Sequence, residues 1–228
     1  MSGGPRLSVV VPALDEAGEI ELPLRSLAPL RTRGHEVVVA DGGSRDGTPE
    51  RAAPLADLVI GAPRSRARQM NAGAAAASGG VLLFLHADTR LPPGAELALL
   101  GGMEESGRGW GRFDLRLTGR HPFFRWGERW ISWRSRVTGV ATGDQAIFVR
   151  RELFEEVGGY PDLPLLEDVA LSKLLKRRGP PLCLRESVVS SSRRWEERGI
   201  LRTAALMNSI RLAYALGVSP GRLARWYK

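Results

Sequence analysis

The chain is short of several things, and each shortage excludes something. Of 228 residues one is cysteine, Cys183, so an internal disulfide and a cysteine-built zinc site are excluded and a reducing compartment is expected. Three residues are lysine although Lys and Arg together number 33. Arginine therefore carries the positive charge, and its planar fork suits bidentate contact with phosphate. No apolar run approaches the ~20 residues of a membrane-spanning helix. The start MSGGPRLSVVVPALDE, with one Arg and a short apolar run broken by Pro12, does not read as a signal peptide. A cytoplasmic protein is expected, at most peripheral on the inner face of a membrane. The patterns G-x-G-x-x-G and G-x-x-x-x-G-K-[ST] are both missing, which argues against a dinucleotide dehydrogenase and a P-loop enzyme. Helix-turn-helix, zinc-module and RNA-binding signatures are missing too, so no nucleic-acid partner is expected.

What is present fits a soluble globular chain, with 43% hydrophobic and 25% charged residues. The length suits one large domain, or one domain with an extension. The net charge of +8 is unevenly placed: residues 176–228 hold 12 Lys and Arg against 3 Asp and Glu, which leaves the first 175 residues near neutrality. A basic end can meet an anionic surface or an anionic ligand, and charge alone does not choose.

Residues 81–89, VLLFLHADT, organise the first half. Five apolar residues after Gly-Gly read as a buried strand, and His86 and Asp88, two apart, project together from its carboxyl end. That edge of an open α/β sheet is where ligands bind. A carboxylate with a neighbouring imidazole there suits a divalent cation on a diphosphate, because the phosphates supply most of the oxygen ligands. Upstream, strands are predicted over 7–11, 35–40 and 57–60. Helices are predicted from an N-cap at Asp15 to about Leu30, from Thr48-Pro49, and over 65–78. This strand–helix alternation predicts an α/β fold with a mostly parallel sheet, whose strand ends gather Glu16, Asp41 and Asp88 on one rim.

Downstream the pattern predicts a helix from Gly94 to about Glu105, strands over 110–117 and 146–149, a helix ending at Gly179, and a last helix over 196–216. Segment 121–136, HPFFRWGERWISWRSR, reads as an amphipathic helix packed on the sheet, in preference to a membrane contact. Glu167 and Asp168 sit where helix-start electrostatics would favour acids in any case. Two arginines in SSSRRW matter only with a diphosphate in reach.

Taken together these stretches resemble glycosyltransferase family 2 of the GT-A fold, the nucleotide-diphospho-sugar transferases. VVVPALDE resembles the family's VVVPxxNE; ADGGSRDGT its DDGSxDGT; HADT stands at its D-x-D; LEDVAL resembles its ED motif; SRRW resembles its Q-x-x-R-W. The HADT, GDQ and SSRRW forms are similar to those of a bacterial subgroup of that family. The resemblance covers about residues 7–195 and implies a catalytic domain over 1–195, with a nucleotide-binding half (1–90) and an acceptor half (91–195), and a basic helical extension over 196–228. It implies that Pro12, Ala13, Leu14, Glu16, Asp41, Arg66, Arg68, Asn71, His86 and Ala87 line the nucleotide site. It makes Asp88, with His86, the holder of Mn²⁺ or Mg²⁺, and Asp168 the general base of an inverting transfer. Glu167, Arg193 and Arg194 would assist, and Gly143, Asp144 and Trp195 would meet donor or acceptor. The second Asp of DDGS is Gly42 here, so the resemblance leaves a UDP- and a GDP-linked donor both open. It implies no acceptor; the tryptophans and the apolar helix hint at a lipid-linked one, or at a membrane or homodimer contact. A sugar-1-phosphate nucleotidyltransferase and a non-catalytic nucleotide-sugar-binding module are the alternatives.

Overall fold

The computed structural model describes residues 6–227, the side chains of Arg194 and Tyr227 excepted. The first strand, β1 (Leu7–Ala13), is buried along its whole length. Its β-branched run suits a pleated layer covered on both faces. Two short helices follow, α1 (Glu21–Ser26) and α2 (Ala28–Thr32), then β2 (Glu36–Asp41), α3 (Thr48–Ala52), β3 (Leu58–Gly61), α4 (Arg66–Ala76) and β4 (Val81–Phe84). These strands form a parallel block in the order β3-β2-β1-β4, with Val9 opposite both Val37 and Leu83. Val9 and Val11 face Ile20, Leu24 and Leu27, while Val10 faces Met70 and Ala74 of α4. Gly73 permits the second contact, since a Cβ there would lie 2.4 Å from Val10 Cγ1.

The sheet then changes character. After β5 (Thr89–Arg90) and α5 (Ala95–Ser106) come β6 (Trp110–Leu117), α6 (Pro122–Thr138), β7 (Phe148–Arg150), α7 (Arg151–Glu156), α8 (Glu167–Lys176) and β8 (Leu182–Ser190). β7 runs antiparallel to β4 and β6, whereas β8 lies parallel to β6 and antiparallel to β5. The result is one eight-stranded mixed sheet in the order β3-β2-β1-β4-β7-β6-β8-β5. The chain ends in α9 (Arg193–Arg198), α10 (Ile200–Ala215) and α11 (Pro220–Tyr227). Ile210 and Leu223 pack against Leu166 and Val169, which ties α10 and α11 to α8.

Several expectations are corrected. Asp15 is not an N-cap: it sits at φ 53 in the left-handed region, and the first helix begins only at Glu21. The intervening backbone is held by the loop after β2, through Asp15 N to Ser44 Oγ (2.8 Å), Glu16 N to Thr48 Oγ1 (2.9 Å) and Ala17 N to Asp46 Oδ2 (2.9 Å). The predicted final helix is broken at Gly199, whose φ of 86 and ψ of 123 no helix accommodates. Arg193 and Arg194 open α9 and are not loop residues. Strand β8 escaped sequence reading because Arg185 and Glu186 interrupt its apolar alternation, where the register against β6 also shifts. Helix α6 packs on the sheet as expected through Phe124, Glu128 and Ile131, yet its tryptophans lie outside.

Candidate active site

The chemistry-bearing residues fall into two neighbouring groups. In the first, the loops after β1 and β2 are laced to each other at the carboxyl end of the parallel block. Asp41 accepts from Gly43 N and Ser44 N, both at 2.9 Å, and from Ser44 Oγ at 2.5 Å, so its carboxylate shapes its own loop. Beneath both loops lies buried Gln69, whose amide donates to Ala13 O (2.6 Å) and Ala40 O (3.0 Å). Gly42 lets that amide approach, because an added Cβ would sit 3.0 Å from it. Gln69 was legible as a polar residue within a helix but not as the strut under two loops. Pro12 and Ala13 are buried in β1, and Leu14 and Glu16 are half-buried beyond it.

The second group surrounds a cavity of about 570 Å³, which Arg66, His86, Asp88, Asp144 and Asp168 line together. Leu166, left-handed at φ 64, turns the chain into α8. A non-glycine residue in that region costs on the order of 1–3 kcal/mol and persists where its surroundings enforce it; here Leu166 is buried against α10 and α11. Two residues on, Asp168 Oδ1 accepts from Val169 N and Oδ2 from Gly143 N, each at 2.6 Å. Gly143 is a point of close approach: an added Cβ would lie 2.6 Å from His86 Nε2 and 3.5 Å from Asp168 Oδ2. His86, Gly143 and Asp168, far apart in the chain, therefore meet.

Asp88 lies in a turn closed by Thr89 N on His86 O (3.0 Å), and Ser191 N on Asp88 O (3.2 Å) ties this turn to the end of β8. Ala87, between the two, is buried in the core. Trp195 lines the cavity and meets Phe124 edge-on at 6.5 Å. No cluster of three potential ligands for a metal ion occurs among the described residues. A cation on Asp88 and His86 would thus draw its remaining ligands from phosphate oxygens, which fits a diphosphate site.

Electrostatics sharpen the cavity. Burial, then the adjacent Asp168 charge, raises the Glu167 carboxyl above its ordinary value, with Arg66 opposing at 3.5 Å. Burial raises Asp144 as well. Arg134, which sequence reading passed over, is drawn down to about 10 by burial and then by the charge of Arg211, which lines the cavity. Asp144 Oδ1, Arg134 Nε and Nη2, and Arg211 Nε have no hydrogen-bond partner among the described residues. Orphaned buried groups of both donor and acceptor type suit a ligand rich in hydroxyls.

Arg68, Asn71 and Arg193 do not line this cavity. Arg68 pairs with Asp162 at 2.6 Å on the surface. Asn71 exchanges two hydrogen bonds with the Tyr160 backbone (2.8 and 2.9 Å) and so fastens the loop after α7. Arg193 pairs with Glu16 at 3.6 Å and Glu19 at 3.2 Å, joining the end of β8 to the loop after β1. The Arg194 side chain lies outside the described residues.

Comparison with known proteins adds a second line of observation. The family profile for glycosyl transferase family 2 matches residues 8–156. PGL/p-HBAD biosynthesis glycosyltransferases of Mycobacterium bovis and Mycobacterium tuberculosis are 32% identical over 171 residues, a match covering 68% of this chain. The matched part spans 63% of those relatives' length. Among solved structures, the mannosyltransferase of Pyrobaculum calidifontis, in complex with GDP-Man and Mn²⁺, superposes with a TM-score of 0.67 at 21% identity, covering 99% of this chain and 70% of that one. Glucosyl-3-phosphoglycerate synthase of Mycobacterium tuberculosis, with Mn²⁺, UDP and glucosyl-3-phosphoglycerate, gives 0.60 at 22% identity, covering 81% and 71%. The curled, largely parallel sheet flanked by helices is the GT-A architecture expected above.

Proposed function

The chain belongs to glycosyl transferase family 2, and from that premise we propose that it moves a sugar from a UDP- or GDP-linked donor to an acceptor hydroxyl, with inversion at the anomeric carbon. The observation that carries this reading is the meeting of Asp168, His86 and Gly143 in a cavity that Asp88 also lines. Gly143 N and Val169 N fix both oxygens of Asp168, which leaves the carboxylate a set direction in which to accept a proton. Asp168 takes that proton from the acceptor hydroxyl as its oxygen bonds to the anomeric carbon. The bond from that carbon to the nucleoside diphosphate breaks, and the departing phosphate keeps the electron pair. A positioned base contributes ~10²–10⁴-fold.

Asp88 and His86 would hold Mn²⁺ or Mg²⁺, which when bound neutralises charge gathering on the diphosphate. The Mn²⁺ and nucleotide ligands of the two solved structures support that choice of cofactor and donor. Arg66 reaches the cavity from the start of α4, and Arg193 sits between the β1 loop and the end of β8; both would offer cations to the departing negative charge. Asp144 and Arg211, which both line the cavity, would offer their unpaired atoms to sugar hydroxyls. A thermal-shift panel of UDP- and GDP-sugars with Mn²⁺ or Mg²⁺ tests the reading. Ligand at about a hundred times Kd adds about 2.7 kcal/mol to the folded state, a clear rise in Tm. A panel in which no nucleotide sugar shifts the transition refutes it.

A further inference from the structure

Helix α6 has two faces. Phe124, Glu128, Ile131, Ser132 and Ser135 are buried on the sheet side. Trp126, Trp130, Trp133 and Val137 are 60%, 44%, 54% and 65% exposed on the other. At 3.6 residues per turn, these four fall within about 60° of arc, opposite the buried stripe. Trp130 lies 6.1 Å from Trp126, their rings parallel within 2°, and 5.1 Å from Trp133. The result is a continuous aromatic ladder in contact with water. Scattered exposed apolar residues need no explanation, but an aligned row of three tryptophans does.

The ladder has company. Trp126 and Trp130 rim the active-site cavity together with Arg202 of α10 and Trp226 of α11, and Trp226 is 52% exposed. Exposed Arg129 flanks the stripe on α6, and Arg225 is exposed beside Trp226. The whole positive surplus of the chain lies in residues 176–228, which supply α9, α10 and α11. Tryptophan is the side chain that settles at the boundary between acyl chains and headgroups, and arginine is the one that holds anionic headgroups. A dry dimer interface depletes charge at its core, whereas here guanidinium groups edge the aromatics.

We propose that the outer face of α6, with the exposed edges of α10 and α11, docks on an anionic lipid bilayer, with the mouth of the cavity turned toward the headgroups. An acceptor carried by that bilayer would present its hydroxyl to Asp168 without leaving the membrane surface. Docking is independent of the transferase reading, so either can fail alone.

The test is co-sedimentation of the full chain with vesicles of phosphatidylcholine alone and of phosphatidylcholine with phosphatidylglycerol, alongside the tryptophan emission maximum. The expected result is binding and a blue shift with the anionic vesicles, weakened by salt. Arg129→Gln should lower partitioning about fivefold. Trp126→Ala with Trp130→Ala, and separately Trp133→Ala, should lower it about tenfold or more, with melting curves confirming the fold. Because Trp133 is not among the cavity-lining residues, its loss reports on the face and not on the pocket. No binding to anionic vesicles, or binding that the tryptophan variants leave unchanged, overturns the proposal. So does a stable dimer in solution that the same substitutions dissociate, since the ladder would then be covered by a second copy.

Discussion

Gly143 stands between His86 and Asp168 and holds the second through its backbone N–H. Any side chain there must displace the His86 ring, because the added Cβ would come within 2.6 Å of it. Gly143→Ala should therefore leave Tm nearly unchanged while lowering turnover about 10²-fold, the size of effect that a misplacement of about 1 Å produces. Paired kinetic and melting measurements separate the two. At the same scale, Glu167 and Asp144 hold their protons more tightly in the folded state than in the unfolded chain, chiefly through burial. A raised carboxyl gives stability that is lost as pH climbs from the ordinary carboxylate value through the raised one. Glu167→Gln should flatten that decline in melts taken across the mildly acidic range. These residues were half legible in advance. LEDVAL marks Glu167 and Asp168, and HADT marks His86 and Asp88, but Arg211 carries no motif and reaches the cavity through the packing of α10 alone. The resemblance makes Arg68 and Asn71 nucleotide contacts; in the structure Arg68 pairs with Asp162 and Asn71 with the Tyr160 backbone.

At the scale of elements, the parallel block was readable because continuous apolar runs of the VVV type announce buried strands. Boundaries failed where tertiary hydrogen bonds won over local propensity. Residues 15–17 give their backbone N–H groups to the next loop, which delays the first helix to Glu21, and β8 gains its pairing from β6 and β5, which lie far off in sequence. Helix α4 carries the sharpest prediction here. It presses on β1 through Gly73, and a methyl at that point would meet Val10 at 2.4 Å. Gly73→Ala should thus destabilise the protein by about 1–3 kcal/mol through overpacking, despite alanine's better helix propensity. Urea unfolding reads that difference directly. If the variant instead proves more stable, the contact between α4 and β1 is looser than described. Gln69→Leu should act differently: it removes the donor beneath Ala13 and Ala40 and should weaken nucleotide binding more than it lowers Tm.

At the scale of the molecule, one sheet brings two half-sites to one side. The parallel block supplies the interlocked loops after β1 and β2 and brings Arg66, His86 and Asp88 to the cavity, and the mixed half adds Asp144 and Asp168. Arg66 and Arg193 connect the halves through Glu167 and Glu16. Neither the role of α10 and α11 in walling the cavity nor the exposure of the α6 tryptophans was visible, since an amphipathic period does not say which of two apolar stripes meets the core. The proposed transfer rests on Asp168 acting as a base in a cavity that holds the donor. The measurement that tests this most directly is Asp168→Asn assayed for nucleotide-diphosphate binding and for sugar transfer in the same preparation. Binding should persist with an unchanged Kd while turnover falls by ~10²–10⁴-fold. Turnover equal to that of the unmodified chain would contradict it.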